Sequence, residues 1–119
     1  MPIPQRVLVT GGGGYIGAVL VPKLIEQGYD VRVLDLYIYG EHVFGPHIGH
    51  SRLRQIKGDI RDTDLVRHSL RDCDTVIHLA CISNDASCEL DPELTRSVNY
   101  DAFLPLLKAC KDSGVQRFV

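Results

Sequence analysis

At 119 residues the chain is long enough for one compact domain and too short for two, and its 45% hydrophobic and 24% charged content excludes intrinsic disorder. A formal net charge of −2, with no basic block, gives no footing for nucleic acid or an anionic membrane. No apolar run approaches the roughly 18 to 20 residues that span a bilayer, and the N-terminal MPIPQR lacks a signal-peptide core, so the expected location is cytoplasmic.

RVLVT at 6–10 is short, β-branched and bounded by turn residues, as buried parallel strands are. It runs into the glycines of GGGG at 11–14 and then into a segment with helical apolar spacing over 14–27, closed by Gly28. Pro22 falls inside that segment and is expected to bend or loosen it. VRVLD at 31–35 is the next strand. Residues 37–52 follow neither period and hold three glycines and Pro46, which predicts a long surface loop with room for a short helix. RQIKG at 54–58 reads as a strand, and residues 63–70 as a helix with Asp62 as its N-cap. DTVIHLA at 74–80 is the fourth strand. Asp91 then caps a helix with Pro92 at its first position and apolar residues at Leu94, Val98, Ala102, Leu106 and Cys110, ending at Gly114. Pro105 removes a backbone hydrogen bond from it and predicts a kink. QRFV at 116–119 is a fifth strand. Strands alternating with helices imply βαβ units, right-handed crossovers and one α/β domain over 1–119 built on a parallel sheet.

Cys73, Cys81, Cys88 and Cys110 show no C-x-x-C pairing and stand in or beside apolar segments, so they read as buried reduced thiols. His42, His47 and His50 share the glycine-rich stretch without a nearby Cys or a helical i, i+4 pair, and read as a solvated loop in preference to a metal site.

The glycines carry the chemistry. A parallel strand that ends in glycine and re-enters a helix brings bare backbone N–H groups together with the positive end of the helix dipole, which is a phosphate site. Glycine there serves the tight turn, the close approach of a pyrophosphate and the packing of helix on strand. Two spacings coexist: Gly12, Gly14 and Gly17 satisfy G-x-G-x-x-G, while Gly11, Gly14 and Gly17 satisfy G-x-x-G-x-x-G. Asp35 ends the next strand 18 residues after Gly17, near the spacing at which a carboxylate accepts both adenosine ribose hydroxyls. That charge would repel a 2′-phosphate, favouring NAD over NADP; the plainer reading is a strand-end Asp capping a turn. No G-K-[ST] follows, which excludes a nucleoside triphosphate P-loop.

TGGGGYIG at 10–17, GDIRD at 58–62, VIHLA at 76–80 and VNYDAF at 98–103, in that order, resemble the extended short-chain dehydrogenase/reductase family, nearest its NAD-dependent nucleotide-sugar epimerases and dehydratases. The resemblance implies a Rossmann-type sheet of order 3-2-1-4-5, with the chain ending within the fifth strand. It also implies NAD as cofactor, with the pyrophosphate at Gly11, Gly14, Tyr15, Ile16 and Gly17. Asp59 and the Ile60 backbone would flank the adenine, Leu79, Ala80 and Cys81 would lie by the ribose and nicotinamide, and Asn99 would bond the central strands and shape the active site. By position alone, Asn99 reads equally as a structural amide, and His78 as a strand-end imidazole satisfied by its neighbours.

Family members oxidise a sugar carbinol with a Tyr base whose pKa a Lys four residues later lowers. Here the residues four beyond Tyr15, Tyr29, Tyr37, Tyr39 and Tyr100 are Val19, Val33, Glu41, Val43 and Leu104, so no Tyr-x-x-x-Lys is present. The expectation is the NAD-binding N-terminal part of a longer epimerase or dehydratase, inactive by itself, with the nucleotide sugar a partner only of the full-length parent. Self-association or a homo-oligomer, through an exposed strand edge or the helix over 92–113, is expected too. The competing readings are a non-catalytic dinucleotide sensor or interaction module and, from the first glycine spacing, a flavin protein.

Overall fold

The computed structural model describes residues 6–37, 40, 43–80, 93, 96 and 101–119. Five strands form one parallel sheet: β1 (Arg6–Thr10), β2 (Asp30–Asp35), β3 (Leu53–Lys57), β4 (Thr75–His78) and β5 (Arg117–Phe118). Their order across the sheet is β3-β2-β1-β4-β5, the Rossmann-type order expected. The central strand β1 places Val7 opposite Val31 of β2 and Thr75 of β4, so the mid-sheet register brings β-branched residues side by side.

Both faces of the sheet are buried, which is why its strands read as nearly continuous apolar runs. Val7, Val9, Val31 and Val33 form one core with Val21 and Ile25 of α1 (Gly17–Glu26). On the opposite face Leu8, Leu34 and Val76 meet Val66 and Leu70 beside α2 (Thr63–Ser69), and Leu106, Ala109 and Cys110 of α3 (Phe103–Asp112). Side chains the size of Leu8, Leu34, Leu70 and Leu106, all essentially without exposure, each contribute about 1.5–3 kcal/mol by leaving water.

Three elements differ from the sequence expectation. α1 begins at Gly17 rather than Gly14, because residues 11–16 are spent on turns; it then runs through Pro22 to Glu26, and Gly28 follows at φ +94°. The C-terminal helix is not one kinked rod through Pro105. The chain takes a wider, π-type turn at Asp101, α3 starts at Phe103, and Pro105 is its third residue, in the first turn, where an N–H has no intrahelical acceptor to lose. Glu93 and Arg96 are helical; Asp91, Pro92, Leu94 and Val98 lie outside the described residues. The stretch after β2 is not wholly surface, since Tyr37 and Phe44 are buried in the α1-side core and a short 3-10 turn at Gly45–His47 follows Phe44.

Asp62 caps α2 as expected, accepting from the Leu65 N–H at 3.2 Å. Cys73 and Cys110 are buried free thiols, and burial pushes the Cys73 thiol up to about 11. Cys81 and Cys88 lie outside the described residues. Among the described residues no helix is long and apolar enough to cross a membrane, and no cluster of His, Cys, Asp and Glu could hold a metal.

Two predictions test this packing. Gly17→Ala, whose Cβ would overlap the Gly12 carbonyl oxygen, should lower unfolding free energy in urea by about 3 kcal/mol. Gly14→Ala, whose Cβ would meet only the Gly11 carbonyl oxygen at 3.4 Å, should stay within about 0.5 kcal/mol of the parent. In the native state Cys73 and Cys110 should resist a thiol reagent until denaturant is added, as read by mass spectrometry of the labelled peptides.

Candidate functional site

The described candidates lie at the carboxyl edge of the sheet, where open α/β sheets bind ligands. Leaving β1, the chain turns at Gly11, at φ +71°, with its N–H bonded to the Leu34 carbonyl oxygen at 2.8 Å. A Cβ at Gly11 would stand 2.6 Å from the Ala80 backbone, so glycine here lets the end of β4 close on the turn. Gly17 does the corresponding job on the other side, letting the start of α1 rest on the Gly12 backbone. Of Gly11, Gly14 and Gly17, only Gly14 borders space that the described residues leave open. Of the uses foreseen for glycine, the turn thus falls on Gly11 and the packing of helix on strand on Gly17.

The start of α1 is electrostatically bare. Its N-cap, Ile16, offers no capping oxygen, and the first turn holds no acidic residue. Among the described residues no protein acceptor bonds the N–H groups of Tyr15, Ile16 and Gly17, and the Tyr15 and Ile16 side chains are exposed. By contrast α2 has Asp62 as its cap and Asp64 in its first turn. One helix neutralises its positive end internally; the other presents it.

Beside that end sits Asp35, the last residue of β2. Its Oδ2 accepts from the Gly13 N–H at 2.9 Å and its Oδ1 from the Tyr37 N–H at 2.5 Å. The carboxylate is aimed at the glycine turn and caps it, the plainer of the two roles weighed from sequence. An ionised carboxylate has about four acceptor sites, and two are used here.

Asp59 and Ile60 follow β3, joined to β2 by the Gly58 N–H donating to the Asp35 carbonyl oxygen at 2.9 Å. The Asp59 carboxylate is gripped by Arg61, whose backbone N–H, Nε and Nη2 all donate to it. The guanidinium holds that carboxyl below the usual carboxylate range. Ile60 sends its side chain into the α2-side core, leaving its backbone at the sheet edge.

Leu79 and Ala80 continue β4 beneath the turn, packing on opposite faces of the sheet. Their backbone is fixed by Thr10: its carbonyl oxygen accepts from the Leu79 N–H at 2.8 Å and its Oγ1 from the Ala80 N–H at 3.3 Å. The same fully buried hydroxyl lies 2.6 Å from His78 Nδ1. A hydrogen bond joins Oγ1 to Nδ1, and burial pulls the His78 pKa down, which favours the neutral imidazole. The ring also sits 5.8 Å from Phe103 and 5.9 Å from Phe118, as the neighbour-satisfied reading requires. Cys81 and Asn99 lie outside the described residues.

The sequence reading missed Thr10, Tyr37 and Arg61. Thr10 offered a signal, as a hydroxyl where a strand meets glycines. Tyr37 offered less, because glycine-rich surroundings masked it as loop. Arg61 stood inside GDIRD without an assigned partner.

A parallel β3-β2-β1-β4-β5 sheet with a glycine turn before α1 and a carboxylate at the end of β2 defines a Rossmann-type nucleotide-binding fold. The model of the NAD dependent epimerase/dehydratase family matches residues 7–119, and the chain belongs to that family. It is 37% identical to a 3-beta-hydroxysteroid dehydrogenase of Mycolicibacterium neoaurum, over 96% of this chain and 31% of that protein. It is also 37% identical to a UDP-glucose 4-epimerase of Streptomyces lividans, over 96% of this chain and 34% of that protein. Among solved structures, the dTDP-glucose 4,6-dehydratase DesIV of Streptomyces venezuelae with NAD bound superposes with a TM-score of 0.87 at 34% identity, covering 96% of this chain and 38% of that one. The chain spans about a third of the length of these relatives.

Lowered by burial, the His78 pKa makes a pH prediction with a definite sign. The neutral ring is favoured on folding, so its contribution is whole above the unfolded value near 6.5 and is lost as pH falls through that value toward the folded one. The gap in Tm between the parent and His78→Gln should therefore narrow from pH 7.5 to pH 5, as followed by circular dichroism.

Proposed function

We propose that this chain binds NAD and forms the cofactor-holding part of an enzyme that oxidises and re-reduces a carbinol of a nucleotide sugar. The observation that carries this reading is the bare start of α1 beside a carboxylate fixed on the glycine turn. Three amides without acceptors among the described residues, an uncapped positive helix end and the space those residues leave at Gly14 together suit a pyrophosphate. Gly11, Gly14, Tyr15, Ile16 and Gly17 would hold it.

Asp35, with two acceptor sites left, would take the ribose hydroxyls of the adenosine half. Asp59 and the Ile60 backbone would flank the adenine. In this arrangement Arg61 has to yield part of its grip, because its N–H groups occupy both Asp59 oxygens. Leu79, Ala80 and Cys81 would floor the nicotinamide side, and Asn99 would support it. NAD, when bound, supplies the hydride acceptor and donor; the chain's own residues bind it, orient it and leave one face to substrate.

Support for a sugar nucleotide comes from relatives such as the UDP-glucose epimerase and the dTDP-glucose dehydratase. The steroid dehydrogenase at equal identity points to the same chemistry, oxidation of a secondary alcohol, on another skeleton. With no Tyr-x-x-x-Lys among its 119 residues, the chain by itself is proposed to bind cofactor without turnover.

Titration calorimetry tests this directly. NAD should bind with a Kd of about 1–100 μM, and NADP should bind at least about tenfold more weakly. Gly14→Asp, which sets a carboxylate in the open space, should abolish NAD binding while keeping the parent's circular dichroism. Heat exchange absent for NAD, with the fold intact, would sink the proposal. UDP-glucose or dTDP-glucose conversion by these residues alone would overturn its inactive part.

A further inference from the structure

Tyr37 combines several features that a loop residue has no need of. It is buried to 6% exposure and stands at φ +56°, a left-handed conformation that a non-glycine residue enters at a cost of about 1–2 kcal/mol. A residue held there is over-determined by its surroundings, and such positions gather at ligand clamps. Contacts to Asp35, Gly13 and Gln55 hold it, besides the Gly40 N–H that donates to its carbonyl oxygen at 3.0 Å. The Tyr37 N–H donates to Asp35 Oδ1. Its ring lies against Gly13, where a Cβ would come within 2.9 Å of Cδ1. Its hydroxyl accepts from Gln55 Nε2 on β3 at 3.2 Å.

Gly13 is itself the donor to the other Asp35 oxygen, at 2.9 Å. Tyr37 therefore closes a small ring of contacts: its backbone holds one carboxylate oxygen, and its side chain backs the glycine that holds the other. The left-handed φ belongs to this arrangement, in which an N–H two residues on turns back onto the Asp35 side chain. With both oxygens tied, the carboxylate is kept from rotating aside, so it keeps facing whatever sits next to the turn.

Resting on the NAD reading above, we propose that Tyr37 is a positioning residue that pins the Asp35 carboxylate against the glycine turn, and thereby sets discrimination between a 2′-hydroxyl and a 2′-phosphate on the adenosine ribose. A pinned carboxylate accepts from a hydroxyl and repels a phosphate; a carboxylate free to swing loses the first and relaxes the second.

The test is the ratio of NADP to NAD dissociation constants, by calorimetry, for the parent, Tyr37→Phe, Tyr37→Gly, Asp35→Ala and the Asp35→Ala/Tyr37→Gly pair. Tyr37→Phe keeps the ring and should leave the ratio within about twofold. Tyr37→Gly relieves the backbone and removes the ring, and the ratio should fall by about tenfold, equivalent to 1.4 kcal/mol. In the double variant the glycine substitution should add nothing to the effect of Asp35→Ala. Should Tyr37→Gly fail to fold, Tyr37→Asn serves, since Asn tolerates a left-handed φ and lacks the ring. A merely structural Tyr37 would lower Tm and leave the ratio unmoved; that outcome, or additive effects in the double variant, overturns the inference. Failure of the parent to bind NAD overturns the underlying functional reading instead.

Discussion

Two backbone approaches govern the molecule. The end of β4 closes on Gly11 and the start of α1 closes on the Gly12 backbone, each at a distance that leaves no room for a Cβ. Together they bring the start of α1 back to the sheet edge, where its N-cap residue, Ile16, has no capping oxygen. The amides this leaves unpaired would be a liability in an interior. At an open edge they become the means of holding an anion.

The electrostatics follow from the same geometry. α1 and α2 both start near this edge, and of the two α2 carries an acidic cap of its own. Asp35 supplies negative charge beside the other without neutralising it, because it bonds Gly13 and Tyr37 rather than the first turn of α1. A pyrophosphate and a ribose diol could therefore sit side by side, one met by amides and the other by a carboxylate. Asp59 differs, since Arg61 already saturates it. The charges of Asp59 and Arg61 thus offset one another within the protein.

The comparisons divide the molecule's chemistry along the chain. Equal identity to a steroid dehydrogenase and to a sugar-nucleotide epimerase, over about a third of each, is what a shared cofactor-holding part produces. What these residues have in common with both relatives is a stretch of sequence that falls within an NAD dependent family. The choice of carbinol needs side chains that touch it.

The sequence by itself determined the alternation of strands and helices, the cap at Asp62, the glycine turn and the acidic residue at the end of β2. Each is a local signal: apolar period, turn chemistry, or a spacing fixed by one βα unit. Family motifs added the sheet order and the remaining edge residues. Tertiary structure alone decided which glycine faces open space, because that depends on where β4 lies relative to β1, nearly seventy residues apart in the chain. It also placed Tyr37 and Phe44 in the core despite glycine-rich neighbours, moved the start of α3 so that Pro105 falls in a first turn, and gave Asp59 a partner. Local pattern cannot encode the open glycine or the burial of Tyr37 and Phe44, since these arise where segments distant in sequence meet. Asp59 and Arg61 stand two residues apart, and only their side-chain geometry was missing from the sequence.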